Sequence, residues 1–245
     1  MNVDAMTPST VNDPRRIILV EDEEALRENY SLAFRKAGFD VQGFAEADSA
    51  LISVRQQLPD VVIIDIGLGH DSEAGFNLCR QLRELSARLP IIFLSARDSE
   101  LDVISGLRLG ADDYLTKDIS LAQLTVRVSS LLRRVDALAK SDSETPVVRV
   151  GHLELFREHL VARWREQVVD LSVTEYWIVD CLAGERGQVK SRQQLMEAAG
   201  IVLDDQTITA HIKRIRAKFT ALDKSFSGIQ TVYASGYRWL DELLY

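Results

Sequence analysis

The sequence predicts a doubly wound α/β domain, a five-stranded parallel sheet with helices on both faces, followed by a smaller α+β domain. Three observations lead there. From Ile17 to Arg134 short β-branched runs alternate with helical patterns, the polar stretch Lys140 to Pro146 breaks that rhythm, and helix-rich sequence ending in a β-hairpin follows. A length of 245 residues suits two domains of ordinary size. The expected boundaries are a tail at 1–14, a first domain at 15–136, a linker at 137–146 and a second domain at 147–245.

In the first domain IILV precedes a helical pattern at Glu23 to Ala37, DVQGF one at Ala47 to Gln57, and VVIIDI one at Gly75 to Ala87. IIFLS then precedes Ser99 to Leu109, and DYLT precedes Ser120 to Arg134. Runs such as VVIID are apolar throughout, as strands covered on both faces must be. In the second domain VVRVG, LELF, HLVARW and QVVDL read as short strands. Ser172 caps a helix and forms a capping box with Glu175, Ser191 caps RQQLMEAA before Gly200, and Asp204 or Asp205 opens the helix through Phe219. IQTVYASGYRWL reads as the closing hairpin.

Composition narrows the class. Hydrophobic residues make up 46% and charged residues 27%, ordinary for a globular chain. No apolar run approaches the roughly 18 residues of a membrane span, and MNVDAMTPSTVNDP has no secretory pattern. A cytoplasmic protein without membrane insertion is expected. Cys79 and Cys181 lie far apart in apolar patterns and read as buried thiols. The net charge of −8 is uneven: residues 1–145 carry 16 basic and 24 acidic side chains, the remainder 13 of each. Within the neutral half, Gln206 to Phe219 holds Lys213, Arg214, Arg216 and Lys218 and no acid. A local cationic face is therefore available for nucleic acid.

Three acids fall where strands should end, Glu21 and Asp22 after IILV and Asp65 after VVII. Functional groups of such sheets gather at the strands' carboxyl ends. Converging carboxylates repel one another unless a cation neutralises them, and an oxygen-rich set without imidazole suits Mg²⁺. Asp65 can then attack a phosphoryl group to form an acyl phosphate, with Ser95 and Lys117 ending two further strands on the same rim.

The segments IILVEDEE, VVIIDIGL, IIFLSARD and GADDYLTKD resemble the receiver domain of bacterial two-component response regulators over Arg15 to about Arg134, a flavodoxin/CheY-like fold. The resemblance implies that Asp65 accepts a phosphoryl group from a sensor histidine kinase. It implies further that Glu21, Asp22, Asp65 and the Gly67 carbonyl hold Mg²⁺, that Ser95 and Lys117 contact the phosphoryl oxygens, and that Tyr114 is a switch aromatic that swings inward on phosphorylation. Three departures stand out. Asp118 follows Lys117 where the family has a cis proline, so a differently placed Lys117 loop is expected. Gly69 replaces a proline, and Gly75 is displaced by an insertion carrying His70, Asp71 and Glu73, which reads as a solvated acidic loop or, alternatively, a second metal-ligand set. On the family's dimer face one ion pair becomes Val103 and Gln123, while Asp112, Asp113 and Arg127 remain. A homodimer on activation is expected, weaker or differently registered.

In Gln206 to Phe219 an apolar stripe, Ile208, Ile212, Ile215 and Phe219, turns Thr207, His211, Arg214 and Lys218 to the opposite, outward face. Such a helix can enter the major groove. LSVTEYWIVDCLA, SRQQLMEAAG, DDQTITAHIKRIRAKF and IQTVYASGYRWL together resemble the winged-helix domain of the OmpR/PhoB family over Val147 to Leu240. The resemblance implies contacts to tandem half-sites of double-stranded DNA from Thr207, His211, Lys213, Arg214, Arg216, Lys218 and the wing residue Tyr233. Here Gln206 and Tyr233 stand where the family has arginines, so lower affinity is expected. The short connection GIVLDD weakens the expectation of RNA polymerase contacts. DIGLGHDSEAGFNLCRQL and TKDIS are similar to a subgroup of regulators found with a dedicated sortase system.

These features predict a transcription regulator controlled by phosphorylation, with DNA binding independent of phosphorylation as the alternative. A Mg²⁺-dependent phosphatase would need a second acid two residues after the nucleophile. Ile66 and Gly67 follow Asp65 instead, so no enzyme is expected beyond the chain's own phosphorylation and dephosphorylation.

Overall fold

The computed structural model describes residues 14–69, 71, 73–96, 106, 109–139, 147–200 and 205–240. In the first domain the strands are β1 (Arg16–Val20), β2 (Asp40–Phe44), β3 (Val61–Ile64), β4 (Ile91–Ser95) and β5 (Asp113–Thr116). They form one parallel sheet in the order β2-β1-β3-β4-β5. The order reverses beside β1, so the carboxyl ends of β1 and β3 are neighbours, and the register pairs Val20 with Ile64. This adjacency brings Glu21 and Asp22 to Asp65.

Helices α1 (Glu24–Lys36), α2 (Ala47–Gln56), α3 (Ala74–Leu85) and α4 (Leu121–Ala139) cover the sheet. Alternate strand residues go to opposite faces. Ile17, Leu19, Val61, Ile63, Ile92 and Leu94 pack in one layer with Tyr30 and Phe34 of α1 and Leu124 and Val128 of α4. Ile18, Val20, Val62, Ile64 and Phe93 pack in the other with Val54 of α2 and Phe76 and Leu82 of α3. The helix expected over 99–109 lies outside the described residues except at Gly106 and Leu109, which are helical. Helix α4 continues to Ala139, three residues into the stretch read as linker.

The second domain opens with a four-stranded antiparallel sheet, β6 (Val148–Val150), β7 (Leu153–Phe156), β8 (Val161–Trp164) and β9 (Gln167–Val169). Its helices are α5 (Val173–Gly184), α6 (Arg192–Ala199) and α7 (Asp205–Leu222), and a hairpin of β10 (Ile229–Val232) and β11 (Gly236–Trp239) follows. Both expected N-caps are present: Ser172 pairs reciprocally with Glu175, and Ser191 with Gln194. Gly200 closes α6 in the left-handed conformation at φ 59°. Trp164, Phe219, Phe226 and Trp239 form an aromatic cluster tying β8, α7 and the hairpin together. Among the described residues no helix is long and apolar enough to cross a membrane.

Candidate functional site

The rim after β1, β3, β4 and β5 gathers the predicted acids. One ligand oxygen from each of Glu21, Asp22 and Asp65 lies within 4.8 Å of the others, the cluster of this kind found among the described residues. Glu21 and Asp65 are buried, whereas Asp22 is exposed. Lys117 Nζ donates to Glu21 Oε1 at 2.8 Å and to Asp65 Oδ2 at 2.7 Å. Burial lifts Glu21 above the ordinary carboxylate range and Asp65 adds to the lift, while Lys117 partly opposes it. Burial pulls the Lys117 ammonium down, but its bonds to Asp65 and Glu21 prevail and hold it above the usual lysine value. Cationic Lys117 between two acids is therefore the stable state.

With Asp118 in place of the family's cis proline, no cis peptide occurs among the described residues, and Lys117 nevertheless reaches Asp65 directly. The Lys117 amide stays anchored to the Ser95 carbonyl at 2.8 Å, and Asp118 is hydrogen-bonded by the Thr116 hydroxyl. These bonds continue the β4 and β5 pairing past the strand, so the backbone aims Lys117 without a proline.

On the insertion side, Gly69 N donates to Asp22 Oδ2 at 2.9 Å and Gly67 N to Asp65 Oδ1 at 3.3 Å. Asp71 accepts from the Glu73 amide at 2.8 Å and is exposed, while His70 lies outside the described residues. Gly75 keeps a close approach despite the insertion. A Cβ there would lie 2.3 Å from the Asp65 carbonyl oxygen and 2.7 Å from Ile66 Cα, so only glycine lets α3 seat against the nucleophile's own backbone. Ser95 is buried at the end of β4. Tyr114 lies inward in this structure, 1% exposed, with its ring 6.2 Å from that of Phe93.

The second candidate site is α7, where the structure corrects one expectation. Its apolar stripe is buried as predicted, but the face read as outward is covered too: Thr207 and His211 are 0% exposed and Ala210 5%. Two things cover it. Glu175, wholly buried beneath α7, pairs with Arg214 at 2.9 Å and Lys218 at 2.6 Å. The first domain supplies the Ala111 carbonyl, which accepts from Arg214 Nη1 at 3.2 Å, and counts Ala210 among the neighbours of its own core. Burial alone would raise Glu175, yet Arg214, Lys218 and the Ser172 amide more than offset it and hold the carboxyl at about 2. Burial and the nearby Arg214 lower His211 to about 4. Neither ring nitrogen of His211 has a hydrogen-bond partner.

Other predicted contacts divide by position. Lys213 is exposed. Arg216 turns back onto its own domain, donating to the Ile229 carbonyl at 3.0 Å and to Thr231 Oγ1 at 2.9 Å. Tyr233, at the hairpin tip, is 92% exposed.

The dimer-face expectation is corrected at Asp112. This carboxylate is buried and accepts from Arg83 Nη2 at 2.7 Å, from the Ile91 amide at 3.1 Å and from the Thr174 amide at 3.0 Å. All three partners are in the same chain, and the second domain lies over it. Asp113 and Arg127 pair with each other at 3.7 Å, and Gln123, read as a lost charge, forms a reciprocal cap with Ser120 at the start of α4. Val103 lies outside the described residues. Sequence reasoning missed Arg83 and Thr174, whose partners are distant in the chain. Cys79 is buried, and burial raises its thiol to about 11, which leaves it inert.

Residues 17–129 match the family described as the response regulator receiver domain, and residues 166–239 the family described as transcriptional regulatory protein, C terminal. The transcriptional regulatory protein CreB of Escherichia coli (strain K12) is 39% identical over 222 residues, covering 89% of this chain and 95% of that one. The phosphate regulon transcriptional regulatory protein PhoB of Rhizobium meliloti (strain 1021) is 37% identical over 228 residues, covering 91% and 97%. The solved structure of a RitR mutant, a cysteine-to-serine variant, aligns with a TM-score of 0.74 over 93% of this chain and 99% of that one, at 23% identity, which shows the fold.

Proposed function

Because the chain belongs to the OmpR/PhoB family of two-component response regulators, we propose that it is a DNA-binding transcription regulator set by phosphorylation of Asp65. The observation that carries this reading is the Lys117 ammonium bonded at once to Glu21 and Asp65 on a rim that also holds Asp22 and Ser95. A carboxylate held beside a fixed cation is an acceptor whose product, an acyl phosphate, meets a positive charge already in place. The donor set fits Mg²⁺, being all oxygen, with a buried Glu21 whose burial and acidic neighbour call for a cation. Glu21, Asp22, Asp65 and the Gly67 carbonyl would hold it, and when bound it neutralises charge on the transferring phosphoryl group.

In this reading an Asp65 carboxylate oxygen displaces the histidine nitrogen of a sensor kinase at phosphorus. Lys117 and the Ser95 hydroxyl then hold the phosphoryl oxygens, and Tyr114 links that change to a surface of the domain. The phosphorylated chain pairs with a second copy, and two α7 helices read tandem half-sites of double-stranded DNA, with RNA polymerase as a further partner. Lys213 and the wing residue Tyr233 are already exposed to meet DNA, whereas Thr207, His211, Arg214 and Lys218 would reach the major groove, and Arg216 the backbone, only after the contacts that now cover or hold them are released.

The test is intact mass and oligomeric state after incubation with Mg²⁺ and a small phosphodonor. One added phosphate, absent from Asp65→Ala and accompanied by dimers, is expected. Phosphate retained in Asp65→Ala would move the acceptor elsewhere.

A further inference from the structure

We infer that Arg27 is a positioning residue for the rim: it clamps the backbone of the turn that carries Glu21 and Asp22, and so holds both carboxylates in the arrangement a divalent cation needs. The inference rests on the reading of the rim as a Mg²⁺ site. Three observations carry it.

First, one guanidinium nitrogen serves both of the adjoining acids. Arg27, half-buried in the first turn of α1, reaches back past the start of its own helix. Its Nη1 donates to the Glu21 carbonyl at 2.8 Å and to the Asp22 carbonyl at 3.1 Å. Both bonds go to backbone oxygens, and among the described residues Arg27 pairs with neither carboxylate. The side-chain oxygens stay available, while the chain that presents them is fixed.

Second, the turn lacks the usual lock between a strand end and a helix start. Glu23, the N-cap of α1, makes no side-chain capping bond. The Glu21 amide donates to the Phe44 carbonyl at 3.0 Å, which ties the turn to the end of β2, and Arg27 holds the carbonyl of the same residue. At Asp22 the Gly69 amide meets the carboxylate at 2.9 Å and Arg27 meets the carbonyl. Asp22 is exposed, so packing does little to hold it and these bonds matter more.

Third, β2 makes room for the clamp. Gly43 pairs with Leu19 in the sheet, and a Cβ there would lie 3.0 Å from Arg27 Cγ and 3.2 Å from Arg27 Cδ. Gly43 does not take a positive φ. Its backbone conformation therefore does not call for glycine, whereas space for the arginine stem does. A gap in the neighbouring strand thus seats the side chain that braces the turn. Mg²⁺ demands near-ideal octahedral geometry, and ligands oriented by partners behind them bind a metal more tightly than ligands free to drift.

The probe is Mg²⁺ alone, titrated into the full chain by calorimetry. Arg27→Ala should weaken Mg²⁺ binding about tenfold. Loss of a nearby positive charge would by itself strengthen it, so the sign of the change separates positioning from electrostatics. Arg27→Lys, which keeps the charge and a donor, should recover part of the loss. Gly43→Ala, which crowds the arginine stem without touching the rim, should weaken binding in the same direction, by about threefold. Arg16→Ala is the comparator: Arg16 braces the opposite end of β1 through the Gln57 carbonyl, Gln42 and Ser53, and its loss should lower the urea midpoint with Mg²⁺ affinity unchanged. With a small phosphodonor, Arg27→Ala should raise the Mg²⁺ concentration for half-maximal phosphorylation by about tenfold and leave the rate at saturating Mg²⁺ within about twofold. Unchanged or tighter Mg²⁺ binding in Arg27→Ala, or an equal loss in Arg16→Ala, overturns the clamp. Should Arg27→Ala not fold, unchanged binding in Gly43→Ala overturns it equally. An unmodified chain that takes up no Mg²⁺ overturns the metal reading of the rim and the clamp with it.

Discussion

At the sheet rim two buried acids, Glu21 and Asp65, share one cation, Lys117; on α7 two cations, Arg214 and Lys218, share one buried acid, Glu175. Each centre is partly neutralised from within and left with a residue of charge. With Asp22 included, the rim stays negative, ready for a divalent cation; α7 stays positive, ready for phosphate. The difference lies in reach. The rim's partners stand on one layer of strand ends, open to solvent through Asp22, whereas the α7 pairs are closed by a second element and by the other domain. Internal compensation lets a concentrated charge persist in a folded chain, and what closes over it sets whether a ligand can arrive.

The largest effect expected at the rim comes from removing its shared cation. Lys117→Ala should slow phosphorylation of Asp65 by a small donor about 100-fold or more, since a preorganised charge at the transferring group is lost. Phosphate incorporation followed by mass against time would show it; an unchanged rate would mean that Lys117 serves only to hold the rim together.

The matching change on α7 acts on stability. Glu175→Gln leaves Arg214 and Lys218 without their buried counter-charge and should destabilise the second domain by about 3 to 5 kcal/mol in urea unfolding. Titration gives the same comparison without mutation. The Glu175 carboxyl is depressed from 4.5 to about 2, so its contribution is fully present above pH 4.5 and is lost as pH falls toward 2. His211, lowered from 6.5 to about 4, binds fewer protons folded than unfolded, so its window is higher, stability falling from pH 6.5 toward 4. Unfolding midpoints recorded against pH should therefore fall in two stages, and His211→Gln should remove the upper one alone. A single stage below pH 4.5 in the unmodified chain would contradict the burial of His211.

A smaller effect, about 1 to 3 kcal/mol, is expected for Gly75→Ala, because the added methyl meets the Asp65 carbonyl and forces α3 outward. Denaturant melts with and without phosphodonor would separate its stability effect from its effect on Asp65. Smallest of all, Ser120→Ala should cost about 1 kcal/mol through loss of the α4 cap, leaving phosphate incorporation unchanged.

The rim was legible because each residue directly follows, or ends, an apolar run that can only be a strand, and parallel topology then brings those ends together. Glu175 shows where legibility stops. Its capping role follows from Ser172 three residues away, but its pairing with Arg214 and Lys218 depends on how α5 crosses α7, which no local pattern encodes. The acid-free cationic stretch of α7 was the available signal, since such a face needs an acid from elsewhere if it is to be buried. Asp112 is harder still. GADDY marks the start of β5, yet Arg83, Ile91 and Thr174 converge on the first of its two acids only in the folded chain. For Lys117 the missing proline was the legible signal, while the backbone bond to Ser95 that holds the lysine at the strand end was not.

Glu175 also changes how the protein should respond to salt. Binding to duplex DNA normally weakens with ionic strength in proportion to the phosphates that side chains neutralise, with a slope of roughly 0.9 per phosphate. Arg214 and Lys218 already carry a resident counter-ion that cannot diffuse away. Their attraction to a phosphate is thus discounted by an anion that dilution does not remove, and the salt slope should fall short of the one that four basic residues on α7 imply.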